Sequence, residues 1–389
     1  MPSRSTHRVL FYVQHLLGVG HVFRTMRIVE RLVETGFQVT VAHGGEKLPD
    51  MVSCGADIHY LPSLRWAAAD DTRLLSADGR PADDAYKDMR RDALLQLLQD
   101  TGPDVIITEA FPFGRRQMHF ELLPFLEAAS ALAKRPIILA SIRDILQEGN
   151  KPSKDLQTVD IIEQFFDGVL VHGDARLTPL EATFPFVDKI CDKLHYTGIV
   201  TPRISPDTEP QMHFDVVVTA GGGMLGRELI RAALLAREST NLKDARWCVC
   251  TGPYMAQEEF DALGELATGG NVTLRTFLPD LPAVLSEAEL SISLAGYNTV
   301  ADLMAAGCRA VIAPQWNDKE TEQLRRAELL SQRGLVEMIG HEEKTPAMLA
   351  EAIRRVMAKP APDWRSIETD GAARTAETLS RLIAGSSDL

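Results

Sequence analysis

Short apolar runs alternate with longer amphipathic segments along the whole chain. Residues 9–13 form an apolar run of strand length, and between Val22 and Val33 apolar side chains recur at helical spacing. The same order of patterns returns in the second half, where a strand predicted at residues 215–219 precedes a helical segment at about residues 224–237. Strands that alternate with helices in this way predict βαβ units and parallel sheets.

The length of the chain and the positions of its prolines indicate that these alternating strands and helices form two domains. A chain of 389 residues is too long for one ordinary hydrophobic core. Pro202, Pro206 and Pro210 mark a linker. We therefore predict two Rossmann-like, doubly wound α/β domains, residues 1–204 and 205–389, facing each other across a cleft at the carboxyl ends of their strands. The last helix, predicted at about residues 365–384, could cross back onto the first domain.

Composition narrows the classes of protein to consider. The net charge of −13 argues against nucleic acid as a partner, because phosphate binding favours a basic face. No apolar run approaches the roughly 20 residues that a membrane span needs, and the N-terminus shows no signal peptide. We expect a cytoplasmic protein without a transmembrane segment, with peripheral membrane contact left open. No metal-binding motif is present, so we predict neither metal nor cofactor.

A glycine-containing turn follows the first predicted strand. Gly18 and Gly20 let the backbone approach a ligand, and the N-terminus of the next helix favours negative charge. His21 lies at that N-terminus, where the helix dipole lowers its pKa and favours the neutral ring. His21 is therefore a candidate general base. A glycine turn with a capping histidine explains the same spacing equally well.

Three consecutive glycines follow the strand predicted at residues 215–219. Gly221, Gly222 and Gly223 precede a helix and suit contact with a phosphate or a sugar. The spacing fits neither a Walker A motif nor a dinucleotide fingerprint. A tight strand-to-helix turn is the alternative interpretation.

Residues 295–307 contain a second turn of the same kind. Gly296 frees the turn, and Asn298 or Thr299 caps the helix that follows, whose exposed amides could hold a diphosphate. Asp302, which we place on the first turn, suits ribose hydroxyls, although a carboxylate there could simply complement the helix dipole. After the next strand, Glu322 and Gln323 begin an amphipathic helix. This pair suits sugar hydroxyls, or else forms a solvated face.

Charged side chains follow two strands of the first domain. Glu109, Arg115 and Arg116 come after the strand at residues 105–108, and Arg143 follows the strand at 137–141. The arginines suit a phosphate or carboxylate on a second substrate. Arg143 could instead form a structural ion pair with its neighbour Asp144. Residues 63–83 lack periodicity and are predicted to be a loop, a candidate lid.

Taken together, these segments resemble the GT-B glycosyltransferases, in particular the MurG-like bacterial group related to the lipid II-forming N-acetylglucosaminyltransferase. The likeness lies in residues 18–23, 277–280, 295–307 and 314–327. It implies metal-independent, inverting transfer of a sugar from a nucleotide-diphosphate donor, a UDP-sugar by this likeness, to an acceptor hydroxyl. The first domain would bind the acceptor and the second the donor.

The resemblance also implies roles for individual residues. His21 is the expected catalytic base. The expected donor-binding residues are Gly222, Gly223, Phe277, Leu278, Gly296, Asn298, Thr299, Asp302, Glu322 and Gln323. The expected acceptor-side residues are Gly18, Gly20, Glu109, Arg115, Arg116 and Arg143. Neither the sugar nor the acceptor follows from the sequence.

Three other functions remain open for this architecture. A nucleotide-sugar hydrolase would use His21 to activate water. A nucleotide-sugar epimerase would change the donor without transferring its sugar. A non-catalytic protein would bind the sugar nucleotide without turnover.

Overall fold

The structure is a computed structural model that describes residues 7–16, 18–48, 51–68, 71–147, 151–204, 212–220, 226–252, 255–267, 271–315, 321–340 and 344–386. The chain divides into two units. The first consists of Met1–Leu146, Asn150–Val200 and Asp370–Leu389, and the second of Gln147–Gly149 and Thr201–Thr369. Each unit has its own parallel sheet and helices, which confirms the predicted α/β class.

The first unit is built on a parallel sheet. Its strands in chain order are β1 (Arg8–Val13), β2 (Gln38–His43), β3 (Asp57–Tyr60), β4 (Arg65–Trp66), β5 (Leu74–Leu75), β6 (Val105–Glu109), β7 (Ile137–Arg143), β8 (Gly168–His172) and β9 (Leu194–Tyr196). Among the described residues the sheet order is β3-β2-β1-β6-β7-β8-β9. The central strands read as apolar runs because helices cover both faces of the sheet.

In the described part of the N-terminal half, the α-helices of this unit are α1 (Gly20–Glu34), α2 (Asp84–Thr101), α3 (His119–Ser130) and α4 (Pro152–Phe165). The apolar stripe of α1 buries Val22, Val29 and Leu32 against one face of the sheet. The segment predicted to be a loop at residues 63–83 contains the antiparallel pair β4–β5. Its role as a lid remains a prediction.

The second unit repeats the plan with a smaller parallel sheet. Its strands are β10 (Val216–Thr219), β11 (Trp247–Cys250), β12 (Val272–Arg275), β13 (Leu290–Ser293), β14 (Ala310–Ile312) and β15 (Glu337–Met338), in the order β12-β11-β10-β13-β14-β15 across the described segments. Its helices are α5 (Arg227–Arg237), α6 (Gln257–Leu266), α7 (Leu281–Glu287), α8 (Tyr297–Ala306), α9 (Glu322–Gln332) and α10 (Pro346–Ala358).

The last helix, α11 (Gly371–Ser386), belongs to the first unit, where Ala376 and Leu379 enter the core cluster that contains α1. It begins at Gly371 rather than near residue 365. The Gly371 amide donates to Ile199 O at 3.0 Å, and a Cβ at this position would lie 2.5 Å from Gly198 O. This close backbone contact explains why residue 371 is a glycine.

Candidate active site

His21 and Glu109 form a hydrogen-bonded pair in the first unit. His21 is the second residue of α1, and Glu109 is the last residue of β6, which lies beside β1 in the sheet. His21 Nδ1 lies 2.7 Å from Glu109 Oε1. Because an ionised carboxylate only accepts hydrogen bonds, Nδ1 carries the proton and the neutral ring keeps its lone pair on Nε2. The pair therefore presents a nitrogen that can accept a proton.

Burial and charge set the protonation of this pair. Burial lowers the pKa of His21 to about 4, and the attraction of Glu109 only partly opposes it. Burial by itself would raise the pKa of Glu109, but His21 and Arg24 outweigh it and lower that pKa to about 2. At neutral pH the ring is therefore neutral and the carboxylate ionised. The sequence pointed to a lowered His21 pKa, and in the structure burial is the largest cause of that shift.

Arg24 contacts the same carboxylate oxygen as His21. It lies one turn further along α1, is almost fully buried, and donates through Nη2 to Glu109 Oε1. Residues three apart on a helix share a face, so both side chains reach β6 from α1. Glu109 is thus shared between an imidazole and a guanidinium.

The three arginines predicted on the acceptor side lie in two different environments. Arg115, with a left-handed backbone (φ 58°), donates from Nε to Gln14 O at 2.9 Å, and its charge acts on both His21 and Glu109. Arg143 is the last residue of β7. The burial of Arg115 and the positive charge of Arg143 both lower the pKa of Arg115. Arg116 instead contacts Asp155 of α4 at 3.6 Å. The structure therefore groups Arg115 and Arg143 with the pair, whereas the Arg116 side chain contacts α4.

Gly18 and Gly20 lead from β1 into the first turn of α1. A Cβ at Gly18 would meet no atom of the described structure within 4 Å. Packing within the protein therefore does not require a glycine at position 18.

The predicted start of the helix after β13, with Asn298 or Thr299 as the cap, was wrong by two or three residues. Gly296 is the N-cap and Tyr297 the first residue of α8, so Asn298 and Thr299 lie in the first turn rather than at the cap. Gly296 has an extended backbone (φ −63°) that most residues can adopt, so the turn does not require the conformational freedom of a glycine. Gly296 has no side chain that could cap this helix. The first amides of a helix point out of its N-terminus and have no partner within the helix itself.

Asp302 also lies further along than predicted. It is in the second turn of α8, on the same face as Asn298 and Thr299, and its side chain is largely buried. The helix dipole acts mainly within the first turn. Complementing the dipole is therefore a weak explanation for this carboxylate.

Glu322 and Gln323 begin α9, as predicted, but both have partners within the protein. Glu322 Oε1 accepts from Arg326 Nη2 at 2.8 Å. Gln323 Oε1 accepts from the amides of Ala295 and Gln315, each at 3.2 Å. These two side chains therefore do not form a simple solvated face.

The remaining donor-side residues differ in exposure. Phe277 and Leu278 follow β12; the Phe277 ring is 59% exposed, whereas Leu278 is buried. An exposed aromatic ring after a strand is available for stacking. Gly222 and Gly223, with Gly221, lie outside the described residues.

Two residues at these sites were not predicted from the sequence. Arg24 follows His21 by three positions, and Arg326 follows Glu322 by four. Both spacings place the side chains on one helix face. That spacing was the available signal, but arginine on a helix is too common for it to stand out.

The described segments contain no group of three or more His, Cys, Asp or Glu side chains that could hold a metal ion. None of the helices described is both long enough and apolar enough to cross a membrane.

Comparison with known sequences identifies the second half of the chain. Residues 216–379 match the glycosyltransferase family 28 C-terminal domain. The UDP-N-acetylglucosamine--N-acetylmuramyl-(pentapeptide) pyrophosphoryl-undecaprenol N-acetylglucosamine transferase of Thermotoga neapolitana is 26% identical over 179 residues, 46% of this chain and 50% of that protein. An uncharacterized glycosyltransferase of Methanopyrus kandleri is 29% identical over 173 residues, 44% of this chain and 45% of that protein. The chain spans about half the length of the curated relatives it matches.

Comparison with solved structures covers nearly the whole chain. The calicheamicin glycosyltransferase CalG4 is 16% identical, with a TM-score of 0.66 over 98% of this chain and 99% of that one. MurG of Acinetobacter baumannii is 17% identical, with a TM-score of 0.61 over 98% and 99%. At these identities the likeness establishes the fold. The chain is thus MurG-like, with a family 28 glycosyltransferase C-terminal domain and the GT-B fold.

Proposed function

We propose that this protein is a metal-independent, inverting glycosyltransferase that moves a sugar from a nucleotide-diphosphate donor, a UDP-sugar in the first instance, to an acceptor hydroxyl. The observation that carries the proposal is the His21–Glu109 pair, a neutral imidazole whose Nδ1 is held by a buried carboxylate. The family 28 domain and the transferases among the relatives support the same class of reaction.

In the proposed reaction, the acceptor hydroxyl attacks the anomeric carbon from the face opposite the nucleotide. A carbon–oxygen bond to the acceptor forms while the bond to the diphosphate breaks, which inverts the anomeric centre. His21 Nε2 accepts the hydroxyl proton. Glu109 fixes the ring orientation and stabilises the imidazolium that forms.

The donor is assigned to the second unit. The N-terminus of α8 offers amides to the departing diphosphate, in line with the anion preference of helix N-termini. Asp302 is assigned to the ribose, Glu322 and Gln323 to the sugar, and Phe277 and Leu278 to the base. Arg115 and Arg143 would attract a negatively charged acceptor. A nucleotide-sugar substrate would place the reaction in the cytoplasm.

The proposal is tested in two steps. A thermal-shift screen with UDP-N-acetylglucosamine, UDP-glucose, dTDP-glucose and GDP-mannose identifies the donor, because a bound ligand raises the apparent stability. The radiolabelled donor is then incubated with bacterial lipid and metabolite extracts, and the label is followed into a product. Loss of transfer in His21→Ala, with donor binding retained and no effect of EDTA, is the expected result.

Other outcomes point to the alternatives. Sugar released without acceptor indicates a hydrolase, and an isomerised donor without transfer indicates an epimerase. Donor binding with no turnover in any extract indicates a binding protein. Transfer that continues at the wild-type rate in His21→Ala would contradict the assignment of the base.

A further inference from the structure

Side chains of α9 hold a single buried residue, Ala295, in the turn between β13 and α8. The Ala295 amide donates to Gln323 Oε1 at 3.2 Å, and its carbonyl accepts from Arg326 Nη1 at 2.9 Å. Ala295 is fully buried, so water cannot replace either partner. The conformation of this turn therefore depends on α9.

Gln323 also reaches the neighbouring loop. Its Oε1 accepts from the amide of Gln315, which follows β14, and β14 lies next to β13 in the sheet. Two backbone amides occupy the acceptor capacity of this oxygen. In this arrangement Gln323 would have only its Nε2 group to offer a substrate hydroxyl.

Arg326 joins the turn to the carboxylate assigned to the donor sugar. Its guanidinium is almost fully buried. Nη1 donates to Ala295 O, and Nη2 donates to Glu322 Oε1. Cζ lies 5.6 Å from the centre of the Tyr297 ring. Tyr297 is the first residue of α8. One planar group thus connects the start of α8 to the start of α9.

We propose that Arg326 and Gln323 are positioning residues that lock the turn at residues 294–297 onto α9, so that the first amides of α8 and the Glu322 carboxylate keep a fixed separation. This inference rests on the proposed function, in which those amides hold the diphosphate and Glu322 holds the sugar. The separation of the two groups selects the donor, and the Gln323 oxygen acts on the turn while its Nε2 group stays available to the sugar.

Arginine is required here because of its shape. Two nitrogens of a planar fork contact two acceptors at once, and a lysine ammonium on a flexible stem does not reproduce that geometry. If Arg326 acted only through its charge on an anionic donor, lysine would replace it. The Arg326→Lys variant therefore distinguishes positioning from simple charge attraction.

The test uses the full-length protein with Arg326→Lys, and Arg333→Met as the matched control. Arg333 is exposed at the C-terminal end of the same helix. Hydrogen–deuterium exchange of peptides covering residues 294–300 reports on the turn without any ligand. Calorimetry with UDP and with the nucleotide sugar selected by the thermal-shift screen reports on donor binding.

We expect faster exchange at residues 294–300 and at least tenfold weaker nucleotide-sugar binding in Arg326→Lys, with less effect on UDP. The Arg333→Met protein should match the wild type within twofold. Wild-type exchange and affinity in Arg326→Lys would overturn the positioning role. If the wild-type protein binds none of the nucleotides, the proposed function fails, and the exchange experiment still decides whether the lock exists.

Gln323 is tested by a pair of substitutions. Gln323→Glu keeps an oxygen that accepts from both amides, whereas Gln323→Ala removes it. Positioning predicts that Gln323→Glu retains slow exchange at residues 294–300, whereas Gln323→Ala exchanges faster and binds the donor at least tenfold more weakly. Weaker donor binding in Gln323→Glu with slow exchange retained would add a sugar contact through Nε2 to the positioning role. Wild-type exchange in Gln323→Ala would overturn the positioning role of Gln323.

Discussion

His21 Nδ1 and Glu109 Oε1 meet at 2.7 Å although 88 positions separate them along the chain. The contact forms because β1, which leads into α1, pairs with β6, which ends at Glu109. An orienting carboxylate behind an imidazole is the arrangement that general-base catalysis uses.

The first prediction concerns Glu109→Gln. The amide removes the negative charge that fixes the His21 tautomer and stabilises its imidazolium. We expect kcat to fall by roughly 10²-fold or more, with the donor KM nearly unchanged. Steady-state kinetics with the identified donor and acceptor measure both constants. A wild-type kcat in this variant would show that Glu109 does not assist His21.

Arg24 should tune the pH dependence of the reaction. Arg24 shares Glu109 Oε1 with His21, and its positive charge helps to keep the His21 pKa low. In Arg24→Met, the full charge of Glu109 acts on the ring and raises that pKa. The acidic limb of the kcat/KM profile should move upward, by about one pH unit. Arg27→Met, one turn along α1, is the control; an unmoved limb in Arg24→Met would contradict the prediction.

A buried ion pair elsewhere in the first unit should matter for stability. Arg90 and Glu121 are both fully buried, with Arg90 Nε 2.5 Å from Glu121 Oε2 and Nη2 3.0 Å from Oε1. Glu121→Ala leaves the guanidinium charge uncompensated and should cost about 3–5 kcal/mol. Calorimetric scanning should show a melting temperature roughly 10 °C lower.

The surface pair Arg354–Glu351 provides the control, because exposed ion pairs contribute little. Glu351→Ala should therefore leave the melting temperature nearly unchanged. Equal effects of the Glu121 and Glu351 substitutions would argue against the importance of the buried pair.

Stability should fall as the pH drops from about 6.5 to 4. Burial lowers the pKa of His15, His21 and His43 to about 4 and that of His172 to about 3. Unfolded histidine titrates near 6.5, so in this window the unfolded chain binds more protons than the folded one. These neutral rings make their full contribution to the free energy of unfolding above pH 6.5. That contribution decreases as the pH falls through the window, by roughly 2 kcal/mol for each ring at pH 5.

The pH effect is measured as the difference between melting temperatures at pH 7.5 and pH 5.0. His43→Phe keeps an aromatic ring between His15 and Tyr60 but cannot be protonated. This variant should show a smaller difference than the wild type. The lowered pKa of Glu109 acts only below about pH 4.5 and does not contribute in this range. An unchanged difference would contradict the role of His43.

Gly45 should not tolerate a side chain. A Cβ at this position would lie 2.2 Å from both Nδ1 and Cε1 of His15. Gly45→Ala must displace that buried ring and should destabilise the first unit by about 1–3 kcal/mol. Gly264→Ala in α6 is the matched control, because its Cβ would meet nothing within 4 Å and alanine favours the helix. Equal melting temperatures for the two variants would refute the prediction.

The parallel α/β class could be predicted from the sequence because apolar periodicity is local. Strand alternation such as that of residues 9–13, followed by the helical stripe of α1, depends only on near neighbours. The start of α9 at Glu322 was predicted for the same reason. The start of α8 was misjudged because Asn298 and Thr299 are good capping residues, yet the chain enters the helix at Gly296.

Tertiary structure alone decided which residues of the candidate site contact one another. Local patterns placed His21 and Glu109 after strands, but strand order made them partners, and the packing that buries His21 lowers its pKa. The partners of Gln323 and Arg326 depend on the packing of α9 against the turn after β13. The sequence by itself determined the alternation of strands and helices, although not every residue at which an element begins. Contacts between distant positions depend on how the elements pack, which a local pattern does not specify.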